Sequence, residues 1–229
     1  SSAIQFIKTL NTPLMQDSAA HLPIASDAKF SINDHIDFVR DKITELQLIE
    51  DQDTASTDLL TDMAASLMQI ETKIIPMVTD EGFKTDEALP QKERCLSPSD
   101  FGFHNTIKTK SGSLVFIDFE YAGWDDPAKL SADFFFQPQI PVPQEYYDQF
   151  LASCLSYLNK DRLQVHITRA KFLRPLFGLR WCCILLNPLK LDWAKARGLD
   201  QDIQKYKATC RDRIKAARLI LLRWNEDFN

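Results

Sequence analysis

Asp100 and Asn105 stand five positions apart in Ser97-Pro98-Ser99-Asp100-Phe101-Gly102-Phe103-His104-Asn105, and a second acid follows in Phe116-Ile117-Asp118-Phe119-Glu120. Pro98 and Gly102 oppose regular structure, so Asp100 must lie on a loop. Between the two segments the pattern is that of a hairpin. Thr106-Ile107-Lys108 and Leu114-Val115-Phe116-Ile117 flank Ser111-Gly112, a good two-residue turn. Counting outward from that turn predicts Asn105 directly opposite Asp118, with Cβ atoms about 4.5–5.5 Å apart. One amide oxygen and one carboxylate so placed reach the same cation. Hard oxygen donors on a partly open site suit Mg²⁺, which keeps waters and takes its remaining ligands from phosphates. Asp100 is left to accept a proton from a substrate hydroxyl. The chemistry implied is magnesium-assisted phosphoryl transfer.

Helices must position this loop and hairpin. Ile4, Phe6, Ile7 and Leu10 have helical spacing, which Asn11-Thr12-Pro13 ends. Ser31 or Asn33 can cap a helix whose apolar positions are Ile36, Phe38, Val39, Ile43, Leu46 and Leu48. Another helix is predicted from Thr57 to Met77, and residues 80–99 read as irregular linker. After Pro138, Pro141 and Pro143 the pattern is helical again: one helix on Tyr147, Phe150, Leu151, Cys154, Leu155 and Leu158, and one over Leu163–Leu186 kinked at Pro175. A last helix over Gln201–Asn225 turns Ile203, Tyr206, Cys210, Ile214, Ala217, Leu221 and Trp224 inward. Its Lys205, Lys207, Arg211, Arg213, Lys215, Arg218 and Arg223 read as a solvated outer face, and Phe134-Phe135-Phe136 reads as core.

Composition narrows the class. The chain has 229 residues, 45% hydrophobic and 26% charged, enough for a full core. A net charge of −5 argues against a general nucleic-acid binder. No apolar run is long enough to span a membrane, and Ser1-Ser2-Ala3-Ile4 lacks the build of a signal peptide. Cys95, Cys154, Cys182, Cys183 and Cys210 are odd in number without C-x-x-C spacing, so reduced core thiols and a cytoplasmic protein are the expectation.

Taken in order, the D-x-x-x-x-N loop, Ile117-Asp118-Phe119-Glu120-Tyr121-Ala122-Gly123 and Asp126-Pro127-Ala128 resemble the aminoglycoside phosphotransferase and choline kinase superfamily. Its members show H-G-D-x-x-x-x-N, then I-D-[FW]-E-x-A, then a D-P segment. The likeness is carried by residues 96 to 133. It implies a mainly α (α+β) fold, the helical C-terminal lobe of a protein-kinase-like phosphotransferase with a small β-hairpin carrying the site. It implies Asp100 as the base, Asn105 and Asp118 as magnesium ligands holding ATP, and Glu120 near metal or substrate. The acceptor would be a small-molecule hydroxyl. Glu120, Asp125, Asp126 and Asp133 would suit an amino sugar; Tyr121 and Trp124 would suit a quaternary amine; a sugar or lipid precursor is equally open.

Departures from the pattern are specific. Pro98 and Ser99 stand where the family has His and Gly, and Leu130 where an acid is usual. His104 reads as a loop histidine, with a phosphate contact as the alternative. The first of six glycines is Gly82, and no glycine loop or strand lysine precedes the catalytic loop. The N-terminal ATP-binding lobe is therefore expected to be absent from this chain, trimmed or lost, and the isolated fragment inactive. Two rivals use the same residues: a non-catalytic kinase-like binding module and a metal-dependent phosphoester hydrolase.

Overall fold

The computed structural model describes residues 2–50 and 52–227, with side chains to Arg223, so the inward placement of Trp224 lies outside the described residues. In chain order the elements are α1 (Ser2–Leu10), α2 (Pro13–Ser18), α3 (Ile32–Gln47), α4 (Thr54–Gln69) and α5 (Ile75–Asp80). Then come β1 (Cys95–Ser97), β2 (Thr106–Lys108), β3 (Leu114–Phe116) and β4 (Gly123–Asp125). The remainder is α6 (Pro127–Phe136), α7 (Tyr147–Cys154), α8 (Lys160–Leu185), α9 (Leu191–Ala196) and α10 (Ile203–Asp227). The fold is mainly helical with a small hairpin, as the sequence implies, and with a second small sheet that it does not. No helix among the described residues is long and apolar enough to cross a membrane.

Two compact units are present. The first comprises residues 1–32 and 83–174, the second 33–82 and 175–229, so the chain passes between them at the start of α3, after α5 and at Pro175 inside α8.

In the second unit the helix predicted over Thr57–Met77 starts earlier and runs longer. Asp53 caps α4 through Ser56 N (2.8 Å), and a π-helical stretch, Ile70–Ile74, joins α4 to α5 just before Pro76. Proline cannot donate to the carbonyl four residues back, and the wider turn lets the helix run past it. Along α10, Ile214, Ala217 and Leu221 are buried and Lys205, Lys207, Arg211, Lys215 and Arg223 are exposed, but Ile203, expected inward, is exposed in the first turn.

The first unit carries both sheets. β1 pairs antiparallel with β4, Leu96 opposite Trp124, within the stretch read as linker. These strands are three residues long and buried throughout, so no alternation marks them. Their edges are closed by other backbone. Trp124 bonds Pro23 O (2.9 Å) and receives Ala25 N (2.8 Å). On the far side Asn11 serves β1 as a partner strand would: its Oδ1 accepts from Leu96 N (2.7 Å) and its Nδ2 donates to Leu96 O (3.0 Å). Gly123 is required by space, since a Cβ there would lie 2.3 Å from Pro23 O.

The second sheet is the expected hairpin in a different register. Thr106 faces Phe116, Ile107 faces Val115 and Lys108 faces Leu114. The loop contains three residues rather than two. Thr109 and Ser113 close it (Thr109 N to Ser113 O, 2.8 Å), and Gly112 takes the left-handed conformation that ends such a loop (φ 87°). Asn105 therefore faces Ile117, whose N–H donates to Asn105 O at 3.0 Å, and the predicted Asn105–Asp118 pairing is corrected by one residue.

Candidate functional site

β1 leads into Pro98-Ser99-Asp100 at one end of the hairpin. Ser99 has φ 70°, a left-handed conformation costly for a residue with a Cβ. Ser99 N donates to Ser97 Oγ (2.9 Å) and Ser99 Oγ to Ser26 O (3.3 Å), and both bonds hold it there.

The turn at Ser99 exposes Asp100. Asn105 Nδ2 donates to the Asp100 backbone carbonyl (2.9 Å) and to Oδ2 (3.3 Å), while His104 Nε2 lies 3.2 Å from Oδ1. The five-residue spacing thus closes a small ring in which one carboxylate is held at both oxygens. With Nδ2 committed to Asp100, the amide oxygen of Asn105 is the atom available to a cation.

Asp118 follows Ile117, the residue paired with Asn105. Continued pleating would send it to the Phe116 side, which is buried. Its backbone instead turns left-handed (φ 67°), and Asp118 is exposed. Asn105, partly buried, and Asp118, exposed, thus come to the same end of the hairpin, and an amide oxygen and a carboxylate are hard donors of the kind that suit Mg²⁺, with waters and phosphates completing the shell. Among the described residues no group of three or more His, Cys, Asp or Glu side chains could cage a metal by itself.

Asp100, His104 and Asp118 are each followed or preceded by an aromatic anchor. Phe101 is buried against Phe6, Phe116, Phe134 and Phe150, with ring centroids 5.7, 4.9, 5.1 and 6.4 Å away. Phe103 meets Phe134 edge-on at 5.3 Å, and Phe119 stacks on Phe6 at 6.0 Å. Phe134 and Phe150 stack at 4.4 Å, so Phe134 and Phe135 are core, as the sequence reading expects. Such ring pairs contribute about 0.5–1.5 kcal/mol each beyond burial. Phe6 of α1 therefore supports both the loop after Asp100 and the segment after Asp118, a role that helical spacing alone does not announce.

The residues expected near substrate divide sharply. Glu120 is exposed and Tyr121 is half-exposed beside Asp118. Trp124 is not: its ring is buried with Ala19 and Leu96, and its indole Nε1 donates to Ala19 O (3.1 Å), so it is a core residue. Asp125, Asp126 and Asp133 are likewise interior. Lys129 Nζ lies 2.8 Å from Asp125 and 3.2 Å from Asp133, and Arg169 grips both oxygens of Asp126 (2.9 and 2.7 Å). Burial pushes the Asp125 carboxyl above its usual range, even with Lys129 beside it. These acids neutralise internal cations, and only Glu120 of the four expected to attract a cationic acceptor is exposed.

Just before β1, Glu93 fastens this segment to α8. Its carboxylate accepts from Arg162 Nε (2.8 Å) and Nη2 (2.6 Å) and sits 2.9 Å from His166 Nε2. Burial pushes Glu93 upward, but Arg162 and His166 outweigh it, leaving the carboxyl below its ordinary 4.5. For His166 burial dominates and, with the Arg169 charge, outweighs the Glu93 bond, leaving the imidazole below 6.5. Both groups bind protons more tightly when unfolded, so both contribute stability that is present at neutral pH and lost on acidification. The His166 part starts to go as pH falls through 6.5 and the Glu93 part below 4.5. The melting temperature should therefore drop from pH 7 toward pH 5, and His166→Gln should flatten that segment of the curve; an unchanged slope would mean that His166 does not couple to folding.

No protein-family model and no curated protein matches the sequence. Solved structures do. A choline kinase from Cryptosporidium parvum superposes with a TM-score of 0.54 at 12% identity, covering 98% of this chain and 66% of that one. An ethanolamine kinase from Plasmodium vivax gives a TM-score of 0.46 at 16% identity, covering 97% and 62%. The chain thus spans less than two thirds of either neighbour. It has a kinase-like fold, the one that the choline kinase shows over the matched part of its length.

Proposed function

We propose that this chain carries the base and the metal ligands of an ATP-dependent phosphotransferase acting on the hydroxyl of a small molecule. The supporting observation is the ring formed by Asp100, His104 and Asn105, which fixes an exposed carboxylate, with the exposed Asp118 directly following Ile117, the backbone partner of Asn105. In this reading Asp100 would orient the acceptor hydroxyl and take its proton as the oxygen attacks the γ-phosphorus, the bond from that phosphorus to the β,γ-bridging oxygen breaks and ADP leaves. Asn105 and Asp118 hold Mg²⁺, which when bound offsets charge on the phosphates. Asn105 works on both sides, since its amide nitrogen orients the base and its oxygen reaches the cation. The acceptor class follows from the fold and the loop; with three of the four acids interior, a cationic acceptor rests on Glu120 and on the choline kinase likeness.

The test is label transfer from γ-labelled ATP to amino alcohols, aminoglycosides and sugars by the complete gene product. Asp118→Ala should lower that transfer by about 10²-fold or more without unfolding the protein. Label appearing only as free phosphate, with no acceptor needed, would favour the hydrolase instead. A folded protein that neither turns over nor binds Mg-ATP by calorimetry would leave only a binding module.

A further inference from the structure

We infer that His104 is a positioning residue for Asp100, holding the carboxylate from within the loop; as a statement about catalysis, this rests on the phosphotransfer reading above. The two side chains are unequal. Asp100 is 47% exposed, whereas the imidazole of His104 is 9% exposed, although it sits on a surface loop beside open solvent. The ring turns back over Gly102 with Nε2 3.2 Å from Asp100 Oδ1. Its other nitrogen, Nδ1, is buried without a hydrogen-bond partner among the described residues. A histidine that only filled space would be exchangeable for an apolar ring, which carries no such orphan. In the tautomer with its proton on Nε2, the ring donates to the carboxylate and leaves a lone pair, not an N–H, facing the backbone.

Gly102 provides the space. Its backbone is extended (φ −174°), a conformation open to any residue, so the absent Cβ matters for packing alone. A Cβ there would fall 2.5 Å from His104 Nδ1 and 2.6 Å from Cε1. Asp100, Gly102 and His104 thus form one unit within the D-x-x-x-x-N segment: an acid, a gap and a ring that uses the gap to reach the acid. Asn105 holds the backbone carbonyl and Oδ2 of Asp100, but its amide is also the group that reaches toward the cation. His104 has no second duty, and it fixes the remaining oxygen.

The first readout is the χ1 rotamer of Asp100 by three-bond NMR couplings in the 229-residue chain. A single rotamer is expected in the parent and averaging in His104→Ala. Gly102→Ala should produce the same averaging with the histidine still present, because it displaces the ring. His104→Gln, whose amide nitrogen reaches the position of Nε2, should restore the single rotamer. In the complete gene product, kcat should fall about 10–100-fold in His104→Ala and Gly102→Ala with KM for both substrates little changed, and recover in His104→Gln. Asp100 staying in one rotamer in both variants would overturn the inference, and so would a rise in KM at constant kcat, which would make His104 a substrate contact. Asp100→Ala separates the two levels: if it leaves turnover untouched, Asp100 is not the base, while the rotamer result in the parent and the His104 variants still decides whether His104 positions Asp100.

Discussion

Replacing Asp100 with alanine is expected to slow phosphotransfer by the complete gene product about 10²–10⁴-fold, the range lost with a general base. Stability should change by about 1 kcal/mol or less, because the side chain is half-exposed. Its hydrogen bonds to His104 and Asn105 are made at the protein surface, where water can replace them. The stability of the loop resides one residue further on, in Phe101. Asp100→Asn is the sharper variant. It retains the size of the carboxylate and one acceptor oxygen, so one of the two bonds from Asn105 and His104 survives, but it cannot take a proton from the acceptor. Turnover in Asp100→Asn as low as in Asp100→Ala would assign the loss to proton transfer. Turnover close to the parent would show that Asp100 serves only to orient the loop, and the base would have to be sought elsewhere.

How much of this was legible without coordinates follows from the range of each interaction. The D-x-x-x-x-N spacing is local, and the loop it implies is present, with Asn105 folded back on Asp100. The long helices were legible because their apolar stripes repeat over several turns, as in α3 and α10. The register of the hairpin was misjudged by one residue because Ser111-Gly112 satisfies two turn types. Only the pairing of Thr109 with Ser113 shows that Lys110 belongs to the loop as well. Placing Asp118 near Asn105 then depends on its left-handed backbone, which nothing in the residue type dictates. Strands β1 and β4 were invisible because three buried residues carry no period. Trp124 was misread for a related reason. An aromatic ring next to a catalytic segment looks like a ligand platform until the indole N–H is seen to be used on Ala19, 105 residues earlier in the chain. The acids of the Asp125–Asp133 segment were misread in the same way, since their cations lie on α6 itself and on α8.

Those interior charges give the second large effect. Arg169→Ala should cost about 3–5 kcal/mol of unfolding free energy, the range found when one partner of a buried ion pair is removed. Asp126 is fully buried and Arg169 nearly so, and the guanidinium meets both carboxylate oxygens in a fork, at 2.9 and 2.7 Å. Asp126 also caps α6, accepting from Ala128 N at 2.8 Å. Truncating the arginine therefore leaves a carboxylate held by its cap in a place where water does not reach it. The pair itself is worth much less than the cost of breaking it, because desolvating two ions consumes most of their attraction. Converting both partners together tests this. Asp126→Asn with Arg169→Met retains the cap and removes both charges, and it should be more stable than Arg169→Ala alone. Urea unfolding of the parent, the single and the double variant measures the difference, and a loss under about 1 kcal/mol in Arg169→Ala would mean that the carboxylate finds another partner or water. The effect bears on the site because Asp126 directly follows β4, β4 pairs with β1, and β1 runs into the Pro98–Asp100 turn. Arg169 thus anchors, from α8, the strand pair from which the Asp100 loop departs. A destabilised Arg169→Ala protein should lose the ordered Asp100 rotamer on mild heating before α8 itself unfolds.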